Sequence, residues 1–316
     1  MPVLRRHWFL VGYLLVLATA AAWPGPGSAG GVLRLDALKP WCIAGIFLCA
    51  GLVLPSHQLL HAAQAWRTHA LVQGLSFILA PLLGLAIAWL AGLAGAPVAV
   101  QTGLLILACL PTTIGSCVAL TGLAGGNQGL ALVNSVLGNL LGLAATPLLV
   151  SLLVGHEGSL PLGTVIGHLA LLAALPVALG QLARVPAAAW LERQRTCIGS
   201  ASSLLLLLVL LGIFSDLAGS GLGRGSGLAG QAALACLVLH LALVAAAWLI
   251  TSGRCRGDRI AITLTASQKT AALGIPLISL LYAADPDLPL LLLPVVAYHL
   301  VQTVAGSLAA SIWPSR

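Results

Sequence analysis

Charge is what this sequence has least of. Only 7% of its 316 residues are Asp, Glu, Lys or Arg, against about 25% in soluble globular proteins. With 59% hydrophobic residues running its whole length, the chain has too little polar surface to coat a soluble fold, and no stretch is left over for a soluble domain. The apolar runs are too long, and alternate too little, for a membrane β-barrel. That leaves an all-α integral membrane protein, because helices satisfy their own backbone polar groups in lipid. The seven cysteines form no CxxC pair and no metal spacing, and read as small buried hydrophobes. The histidines are dispersed, which argues against a zinc site. GxSxG and HExxH are missing, and no acid falls inside an apolar run, so an intramembrane enzyme would lack its base or nucleophile. No enzymatic activity and no cofactor are expected. A net charge of +7 would suggest a nucleic-acid partner in a soluble protein. Here the basic residues sit in short loops and report orientation instead.

Gly, Pro and charged residues divide the chain into ten apolar segments: 8–24, 40–55, 70–93, 99–121, 128–153, 161–183, 197–215, 227–250, 259–282 and 289–312. The N-terminal stretch "RRHWFLVGYLLVLATAAAW" imitates a signal peptide, but its apolar part is long for a signal core, and it is read as a retained first helix. Taking alternate loops, Arg5, Arg6, Arg67, Arg184, Arg193, Arg195, Arg254, Arg256, Arg259 and Arg316 fall on the side of the termini. Arg34, Lys39 and Arg224 fall opposite, with five of the seven acids. The excess of Arg and Lys places both termini in the cytoplasm, with the protein in the plasma (inner) membrane.

Ten spans divide into two fives, 1–153 and 161–316, within a single transmembrane unit. An odd number per half turns the second half over, which makes an inverted repeat. Such repeats place binding sites on interrupted helices at equivalent positions, so the fourth and ninth spans should be damaged. The fourth contains "CLPTTIGSCVALTGLAGGNQG", where Pro111 removes a backbone donor, and Thr112, Thr113 and Ser116 can face a cavity. The ninth contains "LTASQKTAALGIPL", with Thr265, Ser267, Gln268, Lys269 and Thr270 nearly consecutive before Gly274 and Pro276. Taken singly, a Pro-Thr-Thr cluster is more often ordinary packing between membrane helices. Two interruptions, each fourth in its half, favour a binding site.

Lys269 lies about ten residues from the nearer end of its span, some 15 Å at helical rise, beyond comfortable reach of the interface for a four-carbon stem. A central lysine costs about 2.5–3.5 kcal/mol on insertion scales, and no intramembrane acid is on offer. Its options are backbone carbonyls and helix C-terminal ends, a bound anion, or deprotonation. Each requires a polar, protein-lined site. Other candidates for the same cavity are Gln73 on the third span, Ser135 and Asn139 at i,i+4 on the fifth, and Asn127 just before it. Asn134 lies on the fifth span too, and His299 and Gln302 sit at i,i+3 on the tenth. Each of these, alone, is more often an interhelical hydrogen-bonding residue than a ligand.

The runs "LPTTIGSCVALTGLAGGNQGLALVNSVLGNLLGLAATPLLV", "ASQKTAALGIPLI" and "PVVAYHLVQTVAGSL" resemble the bile acid–sodium symporter superfamily, with the strongest likeness to the branch typified by the seventh member of solute carrier family 10. The resemblance implies ten helices in two inverted five-helix repeats. It also implies a panel domain of helices 1, 2, 6 and 7 and a core domain of helices 3–5 and 8–10, with broken helices 4 and 9 crossing near the membrane centre. Two sodium sites would lie behind the crossing and an organic anion in the cleft between the domains, with transport by alternating access. Carried over by position, Gln73, Gln268, Ser116 and Ser135 match sodium-site residues. Cys117 stands where the family has an Asn, and Ala131 at a hydroxyl position. The glutamate shared by both sodium sites falls near Leu264 or Thr265, and Lys269 stands about where an asparagine is expected. Two sodium ions without a carboxylate, beside an ammonium, would be costly to hold. Lys269 is therefore expected to substitute for a coupling cation, or to carry a coupling proton. The leading reading is a secondary transporter of a small organic anion, sodium- or proton-coupled. A membrane regulator that keeps the fold without net transport is the alternative, and a channel would need a continuous polar stripe that the chain lacks.

Overall fold

The computed structural model describes residues 8–53, 66–154, 163–164, 167, 170–219, 227–282 and 285–313. These form helices and connections, with no strand among the described residues. In chain order they are α1 (Trp8–Ala22), α2 (Leu35–Val53), α3 (Trp66–Leu93), α4 (Val98–Ala108), α5 (Ile114–Leu123) and α6 (Gln128–Leu153). Then come α7 (a π-helical turn Ala170–Ala174 leading into Leu175–Arg193), α8 (Arg195–Gly219), α9 (Leu228–Ile250), α10 (Arg256–Ser267), α11 (Ala271–Leu281) and α12 (Leu288–Ile312). Six helices are long and apolar enough to cross a membrane: α2, α3, α6, α8, α9 and α12. Each of the eight tryptophans lies at or within six residues of a helix end. Trp23, Trp41, Trp66, Trp89 and Trp190 are exposed there, as residues anchored at membrane–water interfaces should be. The chain is an integral membrane protein.

Two compact units divide the helices. The first holds α1, α2, α7 and α8, with α2 packed between α7 and α8 and α1 against α8. The backbones of α2 and α7 approach so closely that a Cβ on Gly180 would sit 2.6 Å from the Leu48 carbonyl oxygen. Small residues at such contacts are the membrane solution to helix association, where apolar burial adds little. Tyr13 meets Phe214 edge-to-face, with ring centres 5.8 Å apart.

One sequence expectation changes here. The sequence pattern ends the sixth span at 183, before Arg184; its start lies partly outside the described residues. The helix continues through Arg184 and Pro186 to Arg193. Arg184 is buried because its guanidinium has partners, donating to the Leu52 carbonyl at 2.7 Å and to Glu192 at 3.1 Å. A charge with its donors used need not mark a loop.

The second unit holds α3–α6 and α9–α12. In it α12 packs on α4 and α9, α5 on α6, and α10 on α9, α6 and α5. Residues 260–271 are all buried and 103–112 likewise. The two interrupted spans are thus wrapped in protein, which is where broken backbone is tolerated in a bilayer.

Candidate functional site

The first interruption follows from Pro111. Without an N–H it cannot continue the α4 ladder, and the chain runs through Cys109–Thr113 before α5 begins. The carbonyls of residues 108–112 then need donors from elsewhere, since an unmet buried group costs about 1–3 kcal/mol. All five find one. The Lys269 ammonium donates to Ala108 O at 2.9 Å and to Leu110 O at 2.8 Å. Thr146 Oγ1 donates to Cys109 O at 3.0 Å, Thr270 N to Pro111 O at 2.9 Å, and Asn139 Nδ2 to Thr112 O at 2.7 Å. The two interruptions therefore meet, through both the side chain of Lys269 and the backbone of Thr270.

The second interruption is Gln268–Thr270, whose flanking residues are extended (Gln268 φ −87°, ψ 142°; Thr270 φ −90°, ψ 121°). Gln302 on α12 closes it like a missing strand. Its Oε1 accepts from Lys269 N at 2.7 Å and its Nε2 donates to Lys269 O at 2.9 Å. Tyr298 O–H donates to Ser267 O at 2.7 Å, with His240 Nδ1 3.2 Å from the same oxygen. Thr270 then caps α11, its Oγ1 accepting from Ala272 N at 3.3 Å.

Lys269 is only 2% exposed. Its third bond, 3.1 Å to Ser76 O, depends on a π-helical turn at Leu75–Leu79. There the Ala80 N–H, the usual α-helical partner of Ser76 O, reaches back to Leu75 O instead. The next candidate, Pro81, has no N–H. Ser76 O is left facing out of the ladder, and the ammonium takes it up. An ammonium offers three donors and no acceptor, and here it meets three carbonyls. Of the options open in the sequence, backbone carbonyls and a helix C-terminal end are in contact with Nζ, and the end of α4 adds a favourable dipole.

The remaining expected residues are spread over several places. Ser116 Oγ donates to Gln268 Oε1 at 3.1 Å, joining α5 to the second interruption. Thr265, Thr112, Ser135 and Thr121 surround the Cys117 thiol, with Thr265 Oγ1 3.4 Å from the sulfur. Gln73 donates to Asn134 O at 3.1 Å, while its Oε1 and the Ser267 hydroxyl are buried without a hydrogen-bond partner. Thr113 is half-buried at the head of α5. Asn127 stands apart, exposed at the head of α6, where it accepts from Leu130 N at 3.0 Å and donates to Asp258 at 2.8 Å. The ligand atoms on offer to a sodium ion are neutral amides and hydroxyls, and no cluster of three His, Cys, Asp or Glu occurs among the described residues.

Buried, interrupted helices joined by polar side chains inside a bundle of membrane helices are found at the binding sites of many transporters. The chain belongs to the SBF-like CPA transporter family, whose pattern matches residues 7–314. It is 29% identical over 310 residues to "Sodium/bile acid cotransporter 7" of Xenopus tropicalis, covering 96% of this chain and 90% of that protein. It is 28% identical over 312 residues to the Rattus norvegicus protein of the same name, covering 96% and 91%. "Putative symporter YfeH" of Escherichia coli K12 is 28% identical over 307 residues, covering 96% and 91%.

Proposed function

We propose that the protein is a secondary active transporter that moves a small organic anion across the plasma (inner) membrane by alternating access, coupled to sodium or to protons. The observation that carries this reading is the direct contact between the two interruptions in the second unit, with Lys269 bridging them. A positive group and two helix N-termini, at Ile114 and Ala271, suit an anionic solute. The names of the relatives are consistent with a symported solute, though nothing in this chain singles out a bile acid. The division into α1, α2, α7, α8 and the rest supports a panel and a core built from ten spans in two inverted repeats. The basic residues on the side of the termini support cytoplasmic ends. Gln73, Ser116, Ser135 and Gln268 stay the candidates for holding sodium, by dipoles alone.

The alternative is a membrane regulator that keeps the fold without net transport. It draws support from how completely the carbonyls of residues 108–112 are met from within the protein. Purified protein in proteoliposomes separates the two. Uptake of labelled organic anions is measured under a sodium gradient, a potassium gradient and a proton gradient. Transport predicts gradient-dependent accumulation with one of them. Anion binding to the purified protein without uptake in any gradient would sink transport and leave the regulator.

A further inference from the structure

We propose that Lys269 is the permanent occupant of a monovalent-cation site built from three backbone carbonyls, so that the meeting point of the two interruptions carries its own tethered cation and has no use for a dissociable one. The three oxygens are orphaned for reasons that have nothing to do with the residue at 269. Ser76 O is freed because Ala80 N–H bonds Leu75 O and Pro81 has no N–H. Ala108 O and Leu110 O are freed because Pro111 ends α4. They belong to two different helical segments, yet they converge on one point, 3.1, 2.9 and 2.8 Å from the lysine nitrogen. A ring of backbone carbonyls around a buried point is how proteins replace the hydration shell of a monovalent cation.

The geometry calls for the ammonium and not the free amine. Three acceptors at hydrogen-bonding distance use three N–H donors, and only the protonated form has three. A neutral amine would turn its lone pair on a carbonyl oxygen. The carbonyl end of α4 adds partial negative charge at the same point. No side-chain oxygen takes part in the cage, so the site is defined by backbone and would persist if the lysine were shortened. Lys269→Ala removes three methylenes and the ammonium, the outline of propylammonium.

The test is thermal unfolding of purified protein in detergent, for wild type, Lys269→Ala, Lys269→Met and a protein carrying Gln73→Leu and Ser116→Ala. Each is measured with sodium, potassium, choline, propylammonium, tetramethylammonium (a charge without N–H) or propanol (the stem without a charge). The alanine variant is expected to melt at least about 5 °C below wild type, as for a lost buried polar network in a chain of this size. Propylammonium should restore most of that loss, and tetramethylammonium and propanol should not. The methionine variant should also melt low, and protein carrying Gln73→Leu and Ser116→Ala should be indifferent to the exchange of sodium for potassium or choline. The proposal is overturned by a methionine variant as stable as wild type, by rescue with propanol equal to that with propylammonium, or by a sodium-specific rise in melting temperature that survives Gln73→Leu and Ser116→Ala. If the alanine variant cannot be recovered folded, the methionine variant and the ion exchange decide on the same criteria. The consequence for coupling rests on the transporter reading, whereas occupancy of the cage does not. Rescue without uptake in any gradient would remove transport alone, and sodium-driven uptake without rescue would remove the tethered cation alone.

Discussion

Gln302→Leu isolates the closure of the second interruption. The glutamine amide meets both the N–H and the C=O of Lys269, at 2.7 and 2.9 Å, and the residue is wholly buried. Leucine fills a similar volume and offers neither a donor nor an acceptor. Two buried backbone groups are then left unmet, at about 1–3 kcal/mol each, and the expected loss is roughly 4 kcal/mol. In a chain of this length that corresponds to a fall in melting temperature of about 6 °C. Gln302→Glu should be no better, because it keeps the acceptor for Lys269 N but turns a second oxygen on Lys269 O. Thr303→Val on the same helix is the control. Its hydroxyl only bonds back to His299 O, and it should cost about 0.5 kcal/mol or less. Unfolding can be followed by reaction of a fluorogenic maleimide with Cys109, Cys117 and Cys236, all buried. The exposed Cys197 and Cys255 are first changed to serine. A Gln302→Leu protein within about 1 kcal/mol of its parent would refute the reasoning, since it would mean that the break is closed by something other than this amide.

Four further outcomes follow from other contacts. Gly142→Ala places a Cβ 2.7 Å from Pro111 Cγ, and the overpacking should cost about 1–3 kcal/mol, read in the same assay. Thr146→Val withdraws the donor to Cys109 O at nearly constant volume and should cost about 1–2 kcal/mol; no loss would mean that Cys109 O finds another donor. In the first unit, Arg184→Met leaves Leu52 O without its guanidinium donor and should cost about 1–2 kcal/mol. Glu192→Gln, at a carboxylate 52% exposed, should change stability by no more than about 0.5 kcal/mol, and a larger effect would give the ion pair the role assigned to the carbonyl.

The two interruptions were legible because proline and a polar run announce themselves within a span, and the breaks fall at those residues. The limits of α6 were legible as well, since Asn127 is a capping residue that stops the chain just before it. What closes the breaks was harder to see. Gln302 looked like any interhelical glutamine, because its partners are backbone atoms 33 residues away. Ser76 carried no signal of its own, as its carbonyl and not its hydroxyl is used. The sign lay five residues on, at Pro81, where a missing N–H leaves an acceptor in the middle of a membrane helix. The face of α6 was readable in principle. Ser135, Asn139, Gly142 and Thr146 recur at helical spacing, and three of the four serve the first interruption: Asn139 and Thr146 as donors, Gly142 by making room for Pro111.

A surplus of backbone acceptors explains why a chain so poor in charge keeps a lysine at mid-span and no acid. Proline breaks a helix by deleting an N–H, so every proline-made interruption leaves more acceptors than donors. In water the surplus carbonyls would be solvated, but in a buried site they need side-chain donors. Asn, Gln and Thr each bring acceptors of their own along with their donors, and a carboxylate brings only acceptors. Lysine is the side chain that brings three donors and no acceptor on a stem long enough to reach across to another helix. With Pro81 and Pro111 between them freeing Ser76 O, Ala108 O and Leu110 O, a glutamate near position 264 or 265 would add to a surplus that the lysine removes. A carboxylate there would need a cation bound from solution to offset it, whereas the lysine brings its positive charge with the chain.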